Sequence, residues 1–276
     1  MGHITVPAAE EILDREFPVL DKGFVRLVDY MGSDQRIVQS ARVSYGEGTK
    51  TFREDAGLIN YLLRNDHTSP FEQVVLTFHL KMPIFVARQL VRHRTARMNE
   101  ISGRYSVMKE ECFLPQEGEI AFQSTDNKQG RSSDPVPEPV RKEVLGAIEE
   151  TYNTAFSAYR RFIDRGIAKE LARVVLPLSI YTEMYWQMDL HNLFHFLRLR
   201  MHPHAQKEIR DYAAVMFDIT RKVCPAACEA FGNHVLGSAR LSRRELDAVN
   251  ALLNGKENPL SGREKALFLE KLGRAD

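Results

Sequence analysis

The sequence predicts an α+β protein in which an antiparallel sheet is flanked by helices. Residues 23–30 alternate apolar and polar side chains, which is typical of a half-buried strand. Residues 74–82 are rich in β-branched and aromatic side chains and predict a second strand. Along 139–165, by contrast, apolar residues recur at near-helical spacing, so long helices accompany the strands.

The length and composition are those of an ordinary globular chain. The 276 residues allow one large or two small domains, and an apolar fraction of 43% supports a sizeable core. No apolar run approaches the ~20 residues that span a bilayer, and residues 1–20 are too acidic and proline-rich for a secretory signal. Three cysteines are too few for a disulfide scaffold. We therefore expect a cytoplasmic protein with reduced thiols and no membrane contact.

The first half of the chain alternates between strand-like and helix-like segments. Asp34 is a candidate cap for the first helix after the opening strand, and Pro83 suits the first turn of another helix because its missing N–H needs no partner there. The expected elements are an arm with a short helix (1–21), a strand (23–30), helices (35–42 and 53–64), a proline turn (67–72), a strand (74–82) and a helix (83–94).

The second half begins with a polar stretch rich in Gly, Ser, Asp and Pro, which predicts a long surface loop. Gly166 is placed to end the long helix, and two capping boxes, Ser242 to Glu245 and Ser261 to Glu264, predict two short helices that stop at Gly255 and Gly273. The expected elements are the loop (114–139), a helix (139–165), a strand (179–188), helices (189–201, 204–223 and 224–231) and the two short helices.

Positive charge is concentrated in residues 88–106, which hold five arginines and one acid, Glu100, in a chain whose formal net charge is only +1. Guanidinium groups are planar forks of donors that suit phosphate and the imide edge of a pyrimidine. The simpler interpretation is a solvated helix face. The apolar run before Arg92 and the turn-forming residues after Arg94 favour instead a ligand loop that follows a buried helix.

Two further features strengthen the prediction of a small phosphorylated ligand. On the predicted helix 83–94, Gln89, Arg92 and His93 share one face, which would present an amide, a guanidinium and an imidazole together. Arg173 lies among apolar residues, and a buried lone charge is costly, so this arginine needs an anion from a carboxylate or a ligand.

These residues also carry a resemblance to a known family. Arg92-His93-Arg94 followed by Asn99-Glu100, Ser102 and Arg104-Tyr105 resembles the signature of the flavin-dependent thymidylate synthases. The resemblance spans about residues 20–231 and implies a thymidylate synthase-complementing protein-like fold. On this basis residues 1–233 are predicted to form the family domain, and residues 234–276 a helical C-terminal tail.

The resemblance implies roles for individual residues. Arg200 would be catalytic, by stabilising negative charge on the pyrimidine, although without the resemblance a salt bridge to Glu208 or Asp211 is the preferred interpretation. The implied dUMP-binding residues are Gln89, Leu90, Val91, Arg92, Glu100, Ile101, Ser102, Gly103, Arg104, Arg173 and Arg200. The implied FAD-binding residues are Ser69, Arg92, His93, Arg94, Glu100, Asp189, His191 and His195, with His67, Glu72 and Asn99 near the flavin, and no metal is implied.

The chain departs from the family pattern at several of these positions. The family usually has a serine where this chain has Arg97, and commonly has Asn, Arg and Asn where it has Asp189, His191 and His195. Histidine replaces some hydrogen bonds of an arginine but not its permanent charge. These exchanges leave the flavin contacts of this chain open.

The implied reaction is reductive methylation of dUMP to dTMP, with 5,10-methylenetetrahydrofolate as carbon donor and NADPH as reductant through FAD. None of the three cysteines lies in the cationic stretch, and no glycine-rich dinucleotide fingerprint follows a strand, so the flavin would be held by arginines, histidines and backbone. The resemblance further implies a homotetramer with active sites shared between subunits, and no nucleic-acid partner.

Two other functions stay open at the level of sequence. A nucleic-acid binder would use the arginine-rich stretch, but the near-zero net charge and the lack of interleaved aromatic residues disfavour it. A metal-dependent nucleotide hydrolase would use histidines at ligand spacing. The candidate ligands are His191, His195, His202 and His204.

Overall fold

A computed structural model describes residues 4–43, 52–125 and 130–273 of the chain, apart from the side chains of 52–54. The chain divides into two compact units, Met1–Ala230 and Phe231–Asp276. The predicted boundary between the family domain and the C-terminal tail lies after residue 233, and the division into two domains stays a prediction. Among the described residues, no helix is both long and apolar enough to cross a membrane.

In the described part of the chain, five strands form one antiparallel sheet with the order β1-β2-β3-β5-β4. This arrangement confirms the predicted α+β class and the three predicted strands, whereas β1 and β4 were not predicted. The strands are β1 (Glu16–Val19), β2 (Gly23–Met31), β3 (Val75–Pro83), β4 (Arg97–Glu100) and β5 (Tyr181–Asp189).

Alternation of side chains decides which face of the sheet is covered. In β3, Leu76, Phe78 and Leu80 are fully buried, while the intervening Thr77 and His79 are only half-buried. Trp186 of β5 lies opposite Phe78 and is also fully buried. One face of the sheet therefore carries the core, and the other carries polar side chains.

Helices supply the remaining layer. Ser33, rather than the predicted Asp34, is the N-cap of the first helix after β2, and the Asp34 carboxylate accepts hydrogen bonds from Ala226 N at 2.8 Å and Ala227 N at 3.0 Å instead. In the described residues as far as Phe231, the α-helices are α1 (Pro7–Glu10), α2 (Asp34–Arg42), α3 (Phe52–Arg64), α4 (Ile84–Leu90), α5 (Glu138–Asp164), α6 (Lys169–Ala172), α7 (Leu190–Arg200), α8 (Lys207–Val223) and α9 (Pro225–Phe231).

The helix predicted at 83–94 is wrong at both ends. Pro83 closes β3, where it pairs with Tyr181, and α4 ends at Leu90. A longer helix would use the Gln89 carbonyl to accept from the N–H of His93. That carbonyl instead accepts from the Arg200 guanidinium at 3.3 Å, and His93 N donates to Leu90 O at 3.0 Å. The chain therefore turns after Leu90.

The segment predicted as a long surface loop is fastened to the rest of the first unit. Glu117–Glu119 forms a 3₁₀ turn, and Arg141 at the start of α5 donates to Glu117 at 3.1 Å. Gln123 and Arg131 form an isolated antiparallel bridge, and residues 126–129 of the predicted loop lie outside the described residues. The described part of this loop is thus tied at several points.

The second unit contains the two predicted short helices, α10 (Arg243–Leu253) and α11 (Gly262–Lys271), which pack around Ala248, Leu260 and Phe268. The Ser242 capping box forms as predicted. The Ser261 box does not, because the Ser261 side chain makes no cap hydrogen bond. Gly255 and Gly273 both have positive φ after the helices, which is the conformation that glycine favours.

Candidate active site

Arg200 is the last residue of α7 and lies half-buried at the centre of a hydrogen-bonded group. Its Nε donates to His93 Nε2 at 3.1 Å, and its Nη2 donates to the Gln89 carbonyl at 3.3 Å. We call Arg200, His93 and Gln89 the Arg200 group. Buried Leu193, Phe196 and Leu197 anchor α7 in the core, so the guanidinium projects from a rigid support.

The alternative salt bridge from Arg200 to Glu208 or Asp211 does not form. Glu208 pairs with Arg131, and Asp211 pairs with Lys207 at 2.7 Å. Within the described residues, no carboxylate lies within ion-pair distance of Arg200. Burial lowers the pKa of the guanidinium, yet arginine keeps its charge in proteins. The group therefore holds a half-buried cation whose charge is not neutralised.

His93 is neutral at physiological pH. Burial, with the nearby charges of Arg200 and His195, lowers its pKa from 6.5 to about 4. The hydrogen bond agrees with this state, because Nε2 accepts from Arg200 and so carries no proton. His93 thus orients the guanidinium without adding a second positive charge.

The predicted flavin residues on α7 and at its start lie close to this group. The rings of His93 and His195 have centroids 6.0 Å apart. Burial and the charge of Arg198 lower the pKa of His195 as well. Asp189 is the N-cap of α7 and accepts from Asn192 N at 2.9 Å, so its carboxylate is engaged in capping. His191 is half-buried one turn before His195.

The proline turn packs against the same helix. Phe71 lies in the 3₁₀ segment Ser69–Gln73, and its ring centroid is 6.3 Å from that of Phe194 on α7. Ser69 and Glu72 are exposed in this segment, and exposed His67 contacts the ring of Tyr61 at a centroid distance of 5.9 Å. The structure therefore packs this turn against α7, and the flavin contacts of the turn stay a prediction.

Arg92 and Arg94, the first two arginines of the signature, are exposed on the turn after α4. Within the described residues, the side chains of Arg92 and Arg94 make no hydrogen bond or ion pair. Residues 97–100 were predicted to belong to a loop, but they form edge strand β4, which pairs with β5. Arg97 donates to Gln187 across this pair at 3.5 Å, and Asn99 is exposed.

A second set of predicted residues meets beyond β4. Ser102 forms a turn, with its carbonyl accepting from Tyr105 N and Ser106 N at 3.1 Å. A Cβ on buried Gly103 would lie 3.2 Å from Cδ of Arg173, which shows how closely the turn approaches that arginine. Arg104 Nε donates to Glu170 at 3.1 Å. We call Gly103, Arg104, Glu170 and Arg173 the Arg173 group.

The remaining predicted nucleotide residues connect these groups. Glu100, at the end of β4, accepts from the buried Thr182 hydroxyl at 2.6 Å, and exposed Ile101 donates its N–H to Glu183 O at 2.9 Å. Leu90 is fully buried, and Val91 is the C-cap of α4. These contacts fix the backbone between the two groups.

The expected burial of Arg173 is wrong. Arg173 is exposed in a 3₁₀ turn because its apolar neighbours are exposed too, with Val174 at 75% and Tyr105 of the facing turn at 76%. In the described part of the chain, no carboxylate pairs with Arg173. Its charge therefore faces outward and is available to an anion.

Histidines do not gather into a metal site in the described ranges, where no group of three or more His, Cys, Asp or Glu residues is placed to hold a metal. His202 and His204 face each other with ring centroids 4.9 Å apart. His195 instead lies beside His93.

Gln206 and Arg131 were not predicted as site residues, and Glu208 was considered only as a salt-bridge partner of Arg200, yet these three residues are linked to the Arg200 group from outside. Gln206 accepts from the side-chain amide of Gln89 and donates to Glu208 at 2.8 Å. Glu208 is only 2% exposed and also pairs with Arg131 of the 114–139 segment. No spacing signal predicts the contacts of Gln206 with Gln89 and of Glu208 with Arg131, because each joins residues from distant parts of the chain.

The protein has an α+β fold, and among the described residues the guanidiniums of Arg200 and Arg173 have no carboxylate partner, with the neutral imidazole of His93 beside Arg200. Guanidiniums in this state are suited to binding an anion. Comparison with known proteins then shows to which family the chain belongs. The chain belongs to the thymidylate synthase complementing protein family, whose model matches residues 26–226. A second model, thymidylate synthase ThyX C-terminal domain, matches residues 239–276.

Individual relatives agree with this assignment. The chain is 62% identical over 260 residues to a flavin-dependent thymidylate synthase of Treponema denticola, covering 94% of this chain and 98% of the relative. It is 57% identical over 238 residues to that of Thermus thermophilus, covering 86% and 85%. A crystal structure of a UMP/dUMP methylase from Streptomyces cacaoi bound with 5-Br dUMP superposes with a TM-score of 0.71 at 35% identity, covering 79% of this chain and 98% of that chain.

Proposed function

We propose that this protein is a flavin-dependent thymidylate synthase. It transfers a one-carbon unit from 5,10-methylenetetrahydrofolate to C5 of dUMP, and NADPH supplies the electrons that reduce this unit to a methyl group. The products are dTMP, tetrahydrofolate and NADP⁺. Family membership and the names of its relatives support the proposal, as does the nucleotide named in the Streptomyces cacaoi structure.

The observation that carries the proposal is the half-buried guanidinium of Arg200. Two of its nitrogens are engaged by His93 and by the Gln89 carbonyl, which leaves Nη1 without a partner in the described part of the chain. A positioned cation of this kind stabilises negative charge that develops on the uracil N3–O edge and so makes C5 more nucleophilic. Because arginine has no accessible neutral form, it acts by charge rather than as a base.

The nucleotide phosphate fits the Arg173 group. Arg173 has no carboxylate partner in the described ranges, and Arg104 has only the exposed Glu170. A dianionic monophosphate competes well with one exposed carboxylate, since bidentate contacts with guanidinium are strong. Ser102 and Gly103 add a hydroxyl and a closely approaching backbone, while Gln89 to Arg92 and Glu100 to Ile101 border the nucleotide.

The flavin fits the residues around α7. Arg92 and Arg94 are exposed guanidiniums without partners in the described chain, which suits a pyrophosphate. The neutral ring of His93, with the ring of His195 6.0 Å away, suits contact with a heteroaromatic group. Bound flavin supplies the hydride-transfer chemistry, and the protein supplies binding and orientation. The proposed FAD-binding set is completed by Ser69, Glu100, Asp189 and His191, with His67, Glu72 and Asn99 nearby.

We further propose a homotetramer with shared active sites. The exposed apolar side chains around the Arg173 group, including Leu171, Val174 and Leu178, support a surface that another subunit covers. Arg200→Ala protein and Arg104→Ala protein, mixed so that subunits exchange, should together give more activity at low dUMP than the two proteins give separately, because some mixed sites regain both arginines. Absence of recovery in verified mixed tetramers would contradict the shared site.

The proposed function has a direct test. The purified protein should show flavin absorbance, and it should convert dUMP to dTMP only when methylenetetrahydrofolate and NADPH are both present. A protein that takes up no flavin on incubation with FAD, or that leaves dUMP unchanged, would refute the proposal. The buried, unpaired cysteines Cys112, Cys224 and Cys228 agree with our expectation of a cytoplasmic enzyme.

A further inference from the structure

The side chain of Gln89 is held by a chain of hydrogen bonds that begins at a buried carboxylate. Glu208, at the start of α8, is 2% exposed. Its Oε2 accepts from the Gln206 amide at 2.8 Å, and Gln206 Oε1 in turn accepts from the Gln89 amide. We call Glu208, Gln206 and Gln89 the amide relay. The relay ends beside Arg200, which donates to the main-chain carbonyl of Gln89.

The direction of every bond in the relay follows from its first member. An ionised carboxylate accepts hydrogen bonds and cannot donate them. Gln206 must therefore turn its NH₂ toward Glu208, which leaves its carbonyl oxygen for Gln89. Gln89 must then turn its NH₂ toward Gln206. Its own Oε1 is thereby left as an acceptor, beside its one remaining N–H.

Arg131 supplies the counter-charge of Glu208. The guanidinium pairs with Oε1 of Glu208, so the buried carboxylate has a counter-charge. Lys207, the neighbour of Glu208, pairs with Glu119 at 2.8 Å, which is a second tie to the same 114–139 segment. The fastened segment thus has a role beyond covering the surface, because it stabilises the charge that directs the relay.

We infer that Glu208, acting through Gln206, sets the amide orientation of Gln89 and so makes the site select a pyrimidine with a protonated N3. This inference rests on the proposed function, in which Gln89 borders the nucleotide and its main-chain carbonyl holds Arg200, the residue assigned to the pyrimidine. Uracil presents an N3–H donor beside a carbonyl acceptor, which matches the acceptor and donor that Gln89 displays. Cytosine presents an unprotonated N3, so this nitrogen and Gln89 Oε1 would be two acceptors facing each other with no hydrogen bond between them. Glu208 and Gln206 are therefore positioning residues for specificity.

The test compares the binding of dUMP and dCMP to the flavin-loaded protein by titration calorimetry. In Glu208→Gln, Arg131 still needs an oxygen acceptor, so the new side chain points its amide oxygen at Arg131 and its NH₂ at Gln206. Gln206 must then present its oxygen to position 208 and its NH₂ to Gln89, and Gln89 turns in the same way. The ratio of the dCMP to the dUMP dissociation constant should then fall about 10-fold or more, because a mismatched polar pair replaces a hydrogen bond. An unchanged ratio in this variant would overturn the inference.

A second variant covers the case in which Glu208→Gln does not fold. Gln206→Met keeps the length of the side chain but breaks the relay, so Gln89 is free to turn either way. Its ratio of the dCMP to the dUMP dissociation constant should fall below that of the wild type. If the ratio keeps its wild-type value, the relay does not set specificity.

Arg141→Gln is the matched control. It removes the bond between Arg141 and Glu117 that fastens the same segment, but it touches no member of the relay. General loosening of the segment would lower the ratio in this variant as well, whereas the relay predicts a wild-type ratio. A wild-type protein that does not prefer dUMP to dCMP would count against the proposed function, whereas a lost effect in the variants alone would count against the relay.

Discussion

The Arg200 group and the Arg173 group both present guanidiniums, but they differ in how these are supported. Arg200 is half-buried on a helix that is anchored in the core, and both of its contacts come from the segment that ends α4. Arg173 is exposed in a short turn among exposed apolar side chains, and its neighbour Arg104 pairs with an exposed glutamate. One group is thus organised within a single chain, while the other lies open.

The difference teaches that the two groups suit different tasks. A charge that acts on a developing anion must be aligned beforehand, which needs rigid support and partial exclusion of water. A charge that only binds a phosphate tolerates an exposed and adjustable position. Disruption of the first group should therefore affect kcat most, whereas disruption of the second should affect KM most.

The largest effect is expected from Arg200→Ala. Loss of the aligned charge should lower kcat for dUMP roughly 100- to 1,000-fold, which is the range for removing one preorganised donor. Steady-state turnover with saturating co-substrates measures this, while flavin absorbance and far-ultraviolet circular dichroism report the fold. Arg210→Ala is the control, since Arg210 is also half-buried but donates to Pro203 O at 2.8 Å. Full activity in Arg200→Ala would remove the role given to Arg200.

The next effect concerns the open group. Arg104→Ala and Arg173→Ala should each raise KM for dUMP roughly 10- to 100-fold, because each removes one charge-assisted hydrogen bond, and kcat should change much less. Arg160→Ala provides a control, because Arg160 is an exposed arginine of α5 that pairs with Glu110 at 3.0 Å. If kcat fell as steeply as in Arg200→Ala while KM stayed constant, the contrast between the two groups would be wrong.

A smaller effect tests how the turn fits against Arg173. In Gly103→Ala the new Cβ would lie 3.2 Å from Cδ of Arg173 and from Sδ of Met108. The arginine must move by a few tenths of an ångström, and strain of about 1 kcal/mol predicts a rise in KM of roughly fivefold. Gly118→Ala is the matched control, because a Cβ there meets nothing within 4 Å. Equal KM values for the two variants would show that the turn is not tightly fitted.

The smallest effect is a pH dependence of stability in the Arg200 group. The pKa of His93 is about 4 in the folded protein and 6.5 ordinarily, so between these values the unfolded chain binds a proton that the folded chain does not. The contribution of neutral His93 to stability is present above about pH 6.5 and is lost as the pH falls toward 4. His93→Gln should therefore lose fewer degrees of Tm than the wild type between about pH 7 and about pH 5.

His202→Asn is the control for this measurement, because exposed His202 lies outside the Arg200 group. Thermal unfolding of the nucleotide-free protein gives the Tm values. The same acid-induced fall in His93→Gln as in the wild type would show that His93 does not titrate as described.

Sequence patterns predicted the three inner strands of the sheet but not its two edge strands, β1 and β4. Strands β2, β3 and β5 have enough hydrophobic or alternating residues to be recognised, because each places side chains in the core. Strand β4 has four exposed residues and no alternation of burial, so only its partner β5 makes it a strand. Pro18 obscures β1, which is tolerated because β1 is an edge strand.

Composition and local spacing were enough to predict the α+β class, the resemblance to the family and the chemical types available at the site. The end of α4 depends on the folded molecule, in which the main-chain carbonyl of Gln89 accepts from Arg200 and not from the N–H of His93. The exposure of Arg173 and the relay from Glu208 to Gln89 also depend on the folded molecule. Hydrogen bonds between residues far apart in the chain have no periodic signal, so their geometry exists only in the folded molecule.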